Sequence, residues 1–206
     1  DTLNIPELIV QQGEHAFLRG SSGSGKTTLL NMLAGILLPE QGEIRLLEQD
    51  ICTMRAKQRD RFRADHMGVI FQQFNLLPYL SMLENVLLPC HFSDRRRQQA
   101  GAMQENAEQL LEHLKLDKKL LQRPVTELSV GQQQRVAVAR ALIGKPEIII
   151  ADEPTSALDT DTRNDFLKLL FSEAEAQGST ILFVSHDPHI ATHFPRIIEL
   201  AEVNRI

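Results

Sequence analysis

The residues best suited to chemistry begin with one stretch, Gly20-Ser21-Ser22-Gly23-Ser24-Gly25-Lys26-Thr27-Thr28. Its spacing fits G-x-x-x-x-G-K-[ST], with Gly20 first and the Lys26-Thr27 pair last. Glycines let a backbone curl tightly, so that successive N–H groups point inward and make a nest for an anion. A helix starting at once afterwards adds the positive end of its dipole. In such a loop Lys26 is expected to reach the β- and γ-phosphates of a nucleotide, and the Thr27 hydroxyl to ligate Mg²⁺. A flexible Gly/Ser linker is the plain alternative, but linkers do not run directly into Lys-Thr-Thr and a leucine-rich helix. Residues 20–28 are therefore read as a phosphate-binding loop.

Three other groups share one property: each follows directly on a short apolar run. Asp152 and Glu153 follow Ile148-Ile149-Ile150-Ala151, Ile181-Leu182-Phe183-Val184 ends at Ser185-His186-Asp187, and Gln72 follows Met67-Gly68-Val69-Ile70-Phe71. In open parallel sheets ligands bind at the carboxyl ends of the strands. If these runs are neighbouring strands, all of these groups and the phosphate loop meet at one rim. Asp152 is then placed to hold Mg²⁺ opposite Thr27, usually through water. Glu153 is placed to take a proton from an attacking water. His186 reads as a sensor of the terminal phosphate that also orients Glu153. The Gln72 amide suits contact with Mg²⁺ or with the attacking water, and by spacing alone Gln73 is its rival.

Positioning these groups calls for strands alternating with helices, hence an α/β chain with a mainly parallel sheet. Ala16-Phe17-Leu18 reads as the strand ahead of the loop, and the leucine spacing predicts a helix over 27–34 that ends near Gly35. A short strand is expected over 42–47, a helix-compatible stretch over 53–64, and a long helix from Asp159 or Thr160 to Gly178. A short helix and a strand at 197–200 close the chain. Residues 1–14 read as an edge segment with a turn at Gln12-Gly13. From Pro78 to about Leu121 the pattern is helical, with an amphipathic stretch over 94–116, and no β-run interrupts it. Ser129 and Gln132 stand in capping-box spacing, so Ser129 is expected to cap a helix reaching about Ile143. Residues 74–89 are too apolar for all of them to be buried. An exposed groove, with positions such as Tyr79 or Leu80, is expected there.

The whole chain narrows the possibilities. Its 206 residues suffice for one large domain or a core with a small subdomain, and hydrophobic content of 42% with only 5% aromatics suits aliphatic strands. A net charge of −5 gives no sign of nucleic-acid binding. The basic runs at 55–63 and 95–97 read as solvated faces. Cys52 and Cys90 form neither a metal spacing nor a disulfide framework, which fits a reducing compartment. No apolar stretch approaches the length of a membrane-spanning helix.

Taken in order, residues 20–28, Phe71-Gln72, Leu128-Ser129-Val130-Gly131-Gln132, residues 148–153, Ser156-Ala157-Leu158-Asp159 and Ser185-His186-Asp187 resemble an ordered motif set. They look like the Walker A, Q-loop, signature, Walker B, D-loop and H-loop motifs of ABC-transporter nucleotide-binding subunits, over nearly the whole chain. The run at 71–78, with Glu84-Asn85-Val86-Leu87-Leu88-Pro89 after it, resembles the lipoprotein-release and macrolide-export branch and puts Gln72, not Gln73, at the Q-loop position. The resemblance implies the P-loop NTPase fold of ABC ATPases, as one domain. A RecA-like core of residues 1–77 and 144–206, with an N-terminal β segment, would hold a helical subdomain inserted at 78–143. ATP and Mg²⁺ are the implied cofactors, with Glu153, His186 and Gln72 catalytic and Thr27, Gln72 and Asp152 about the metal.

Two copies are expected to pair head to tail as a homodimer. Each ATP would lie between residues 20–28 of one copy and Ser129, Gly131 and Gln132 of the other, with Asp159 nearby. The cycle would drive an integral-membrane permease, with this subunit peripheral on the cytoplasmic side of the inner membrane and working in export or envelope force transmission. A soluble ABC ATPase of DNA repair, chromosome maintenance or translation is the alternative. The repair and chromosome types carry a long coiled coil or zinc-bearing insertion that this chain lacks. Three positions depart from the family pattern: Val130 replaces a usual glycine, Glu48 stands where a turn glycine is common, and Phe17 is the only aromatic before Gly20. The adenine-stacking aromatic is then expected either in a missing N-terminal segment or not at all, and Asp1 as first residue favours the former.

Overall fold

A computed structural model describes residues 3–156 and 160–205. The first strand, β1, is His15–Arg19, and α1 follows at Lys26–Leu33. A small antiparallel ribbon comes next, β2 at Arg45–Leu46 and β3 at Gln49–Asp50, then α2 at Ala56–His66 and β4 at Met67–Ile70. Four helices separate β4 from the next strand: α3 (Met82–Phe92), α4 (Asp94–Ala100), α5 (Met103–His113) and α6 (Val130–Leu142). The chain ends with β5 (Ile148–Asp152), α7 (Thr160–Gln177), β6 (Thr180–Ser185), α8 (Pro188–Ala191), β7 (Arg196–Glu199) and α9 (Leu200–Val203).

The main sheet has the order β4-β5-β6-β1-β7, and every pairing in it is parallel. Both faces are covered, as a parallel sheet requires. Side chains alternate along each strand: Phe17, Ile149, Ala151, Ile181 and Phe183 enter one core, shared with α3, α5, α6 and α7. Ala16, Leu18, Ile150, Leu182 and Val184 enter the other, closed by Leu29 and Leu30 of α1. Phe17, Phe183 and Phe194 pack ring against ring in the first.

Helix α6 lies directly on β4. A Cβ on Gly68 would stand 2.2 Å from the Ala141 carbonyl oxygen, so only glycine admits this approach. Arg96 of α4 then seals the end of α6: its guanidinium donates to Ala141 O (2.6 Å), Ile143 O (2.8 Å) and Met67 O (3.2 Å). No carboxylate among the described residues pairs with it, and burial pulls its pKa down to about 10. The middle of the 95–97 run is thus interior, not a solvated face. On a helix, adjacent residues point about 100° apart, so one arginine of three turns inward.

Other expectations are met unevenly. The Ser129 capping box on α6 is present, and the turn at Gln12-Gly13 is found. Residues 3–14 contain no strand, because β1 is already flanked on both sides by β6 and β7. This segment instead meets the chain's end, with Asn4 N donating to Asn204 Oδ1 and Arg205 N to Asn4 O. Of the strand expected over 42–47 only Arg45–Leu46 is laddered, since the ribbon turns at once through Leu47 (φ 49) and Glu48 (φ 63). Two positive φ values are what a two-residue hairpin loop demands, which gives Glu48 a left-handed place suited to glycine. The amphipathic stretch 94–116 breaks at Gly101 (φ 60) into α4 and α5.

Candidate active site

The register of the sheet brings the chemistry together. Ile70 pairs with Ala151, Ala151 with Phe183 and Phe183 with Phe17, so β4, β5, β6 and β1 end level with one another. Two steps beyond that line stand Gln72, Glu153, Ser185 and Arg19; His186 and Gly20 are one step further. The expected single rim is therefore formed.

The phosphate loop joins β1 to α1. Gly25, at φ 97, precedes α1 in the left-handed conformation, and no side chain caps the helix. The first-turn N–H groups of Lys26, Thr27 and Thr28 are thus left for an anion. A Cβ on Gly20 would fall 2.5 Å from Ser24 Oγ and 3.3 Å from Lys26 Cγ, so a side chain there would crowd the closed loop. Ser24 Oγ is buried and has no protein partner, a hydroxyl still able to bond. Ser21, Ser22 and Gly23 lie exposed along the loop. Lys26 Nζ lies across it, donating to Gly20 O (2.6 Å) and Ser21 O (2.9 Å).

At the end of β5 the two carboxylates differ. Asp152 is pushed above the ordinary carboxylate range by burial and by the neighbouring Glu153 charge, with Lys26 opposing. Glu153 takes φ +46, a left-handed conformation that costs a non-glycine residue about 1 kcal/mol. Its N–H still bonds Val184 O at 2.9 Å, which aims the side chain across β6. There its carboxylate is gripped twice: Ser185 Oγ donates to Oε2 (3.0 Å) and His186 Nδ1 meets Oε1 (2.7 Å). An ionised carboxylate only accepts, so Nδ1 carries the proton and Nε2 faces outward. The Glu153 side chain is 15% exposed and His186 71%, a sheltered carboxylate beside an accessible ring.

Ser185 was not singled out by residue type, although its place at the end of β6 was visible. It is buried, and Asp187 N donates to its hydroxyl at 3.2 Å. Asp187 is itself fixed by Arg163 of α7 at 2.6 Å.

Gln72 and Gln73 are both exposed in the turn after β4, where Phe74 and Asn75 adopt φ 59 and 48. Ser129, Gly131 and Gln132 form the tip of α6: Gln132 N donates to Ser129 Oγ (3.3 Å) and Ser129 N to Gln132 Oε1 (2.9 Å). No hydrogen bond or ion pair among the described residues joins this tip to the phosphate loop, Asp152 or Glu153. Val130 presents its side chain there, 53% exposed. Asp159 lies outside the described residues. The residues expected about a metal offer oxygens only: the Thr27 hydroxyl, the Asp152 carboxylate and the Gln72 carbonyl. That set, with a half-buried carboxylate whose pKa is raised by burial and by Glu153, fits a hard cation such as Mg²⁺. No cluster of three or more His, Cys, Asp or Glu side chains accompanies it among the described residues.

Known proteins resemble this chain in sequence and fold. A family model described as ABC transporter matches residues 3–156. The Escherichia coli ABC transporter ATP-binding protein YbbA is 43% identical over 194 residues, spanning 94% of this chain and 83% of that protein. The macrolide export ATP-binding/permease protein MacB of Campylobacter jejuni is 42% identical over 195 residues, spanning 95% of this chain but 30% of MacB. The dimeric structure of the ATP-binding cassette MJ0796, in a post-hydrolysis state bound to ADP and Pi, superposes with TM-score 0.82 at 36% identity, covering 96% of this chain and 85% of that one. The chain belongs to the ABC transporter family, as an ATP-binding subunit that hydrolyses ATP.

Proposed function

We propose that Glu153 is the general base of this ATPase and that two copies of the chain close around ATP to drive a membrane permease in export. The observation that carries the chemistry is the Glu153 carboxylate, held at both oxygens on the rim beside the phosphate loop. Water adds to the γ-phosphorus in line with the departing oxygen, the bond to ADP breaks, and the proton of the water passes to Glu153. His186 holds the base in place through Nδ1 and turns Nε2 toward the phosphate. The loop N–H groups and Lys26 bind the phosphates. Thr27, Asp152 and Gln72 are the residues that would hold Mg²⁺, which when bound neutralises charge on the β- and γ-oxygens.

The capped tip of α6, with Ser129, Gly131 and Gln132, offers its helix N-terminus to the ATP of the second copy. The solved cassette dimer supports that pairing. Residues 78–143 act as a helical subdomain on a core of 1–77 and 144–206, as the packing of α3 to α6 on one another suggests. Exposed Phe71, Tyr79 (77%) and Phe92 (68%) supply an apolar surface for the permease. Of the other apolar residues of 74–89, Phe74, Met82, Leu83 and Val86 are buried in the core, and Leu76 and Leu87 pack against it partly buried. The export direction rests on the likeness to MacB. We place the subunit peripherally on the cytoplasmic face of the membrane. No helix among the described residues is long and apolar enough to cross one.

The test is Glu153→Gln. This variant should bind ATP normally, lose roughly 10²-fold or more in turnover, and accumulate as an ATP-bound dimer in size-exclusion chromatography. Near-normal hydrolysis would remove Glu153 from the role.

A further inference from the structure

Gln72 sits on an exposed turn with no hydrogen bond of its own among the described residues, yet the turn behind it is tightly held. Phe74 and Asn75 are consecutive non-glycine residues at positive φ, 59 and 48. Such a pair persists only where its surroundings over-determine it. Three restraints are present. Phe74 N donates to Phe71 O (3.0 Å) and Asn75 N to Gln73 O (2.6 Å). The Phe74 ring is buried in the larger core. The third restraint comes from another element: Arg140, ten residues along α6 from Val130, donates to Phe74 O at 2.5 Å and to Asn75 O at 2.6 Å.

Arg140 is costly where it stands. Its guanidinium is buried and no carboxylate among the described residues pairs with it, so desolvation is offset only by backbone carbonyls. An apolar side chain would fill the space at less cost. What the arginine supplies is a planar fork with two donors, matched to two consecutive carbonyls in one geometry. The same helix reaches the other side of the site. Gln134, also buried, donates through Nε2 to Pro154 O at 2.9 Å, one residue after Glu153. Helix α6 therefore holds both the turn that bears Gln72 and the turn that follows Glu153, and its free tip is the Ser129 capping box.

We propose that Arg140 is a positioning residue for Gln72: through the Phe74 and Asn75 carbonyls it fixes the turn and ties the reach of Gln72 to the placement of α6. The proposal rests on the reading of Gln72 as a group that meets Mg²⁺ or the attacking water. It makes α6 a rigid arm. Any shift of the tip against a second copy is felt at Gln72 through Arg140 and beside Glu153 through Gln134.

The experiment compares wild type, Arg140→Gln, Arg140→Lys, Gln72→Ala and the Arg140→Gln/Gln72→Ala double variant. Hydrogen exchange on the nucleotide-free chain is the first readout and needs no catalysis. The Phe74 and Asn75 amides should exchange about tenfold faster in Arg140→Gln, while β4 and α5 keep their protection. Steady-state ATP hydrolysis is the second. Arg140→Gln should lower kcat about tenfold with KM for ATP within about twofold, and should add nothing further to Gln72→Ala. Arg140→Lys, which keeps the charge without the fork, should fall between, and it stands in if Arg140→Gln does not fold.

Unchanged exchange at Phe74 and Asn75, or protection lost evenly across the chain, would overturn the proposal. So would equal losses of kcat with and without Gln72, which would make Arg140 a structural residue only. If Gln72→Ala alone leaves kcat intact, the reading of Gln72 fails and the proposal with it. Exchange data would still show that failure to be separate from any failure of Arg140 to hold the turn.

Discussion

Replacing Gly68 by alanine adds one methyl group at the place where α6 rests on β4. The new Cβ would stand 2.2 Å from Ala141 O, 2.9 Å from Ala141 C and 2.8 Å from Ile149 Cδ1. Two of these atoms are backbone, so no rotamer change relieves the clash and the helix must move by about an ångström. Overpacking of this kind costs about 1–3 kcal/mol. Ala141 O also accepts from the buried Arg96 guanidinium at 2.6 Å, a charged hydrogen bond whose loss adds about 1.5–3 kcal/mol. The expected destabilisation is therefore about 3–5 kcal/mol, a large share of the roughly 5–15 kcal/mol available to such a domain. Urea unfolding followed by far-UV circular dichroism measures it. Gly13→Ala serves as the control: its Cβ meets nothing within 4 Å and only its φ of 75 is penalised, so it should lose about 1 kcal/mol. If Gly68→Ala proves as mild as Gly13→Ala, the close seating of α6 on β4 is not what the glycine is for.

Ser185→Ala removes one of the two grips on Glu153; kcat should fall roughly tenfold with KM for ATP little changed, and an unaltered kcat would show that His186 suffices. Asp152→Asn should raise the melting temperature of the nucleotide-free chain at neutral pH and abolish the extra stabilisation that Mg²⁺ adds to ATP over ATP with EDTA. The sign follows from burial and Glu153: the folded pKa lies above the unfolded one, so ionised Asp152 costs stability above that pKa, and the gap between the proteins narrows as pH falls. A Mg²⁺-dependent shift that survives the change would exclude Asp152 from the metal site. Tyr79→Asp should leave basal ATPase activity intact while abolishing co-purification with the permease, and retained co-purification would move the docking surface elsewhere.

Much of the site was legible because its signals are local. The phosphate loop, the runs ending at Asp152 and Ser185, and the Ser129–Gln132 box each declare themselves within a few residues. Their common rim was a conditional expectation, since the order of strands follows from packing and not from any one run. The residues that sequence reading missed are polar groups that serve by being buried. Arg96 sits between the half-buried Arg95 and the exposed Arg97, and Arg140 and Gln134 lie in a helix whose polar residues look like a solvent face. Nothing in their types shows that the acceptors are main-chain carbonyls, which every residue carries alike. Ser185 escaped for a related reason: a serine ending a strand is common, and only the register puts its hydroxyl against Glu153.

The strand order also bears on how the chain is made. The strand that feeds the phosphate loop, β1, is translated well ahead of both of its neighbours, β6 and β7. His15 waits for Ile181. At ribosomal rates of about 5–20 residues per second, that wait is on the order of 10–30 s. Throughout it Ala16, Phe17 and Leu18 have no sheet to enter, and two apolar faces and two unpaired edges stand open. Nascent chains that stall after α6 would thus carry a complete nucleotide motif on a strand with no partner. They are the species for which chaperones and proteases have most to do.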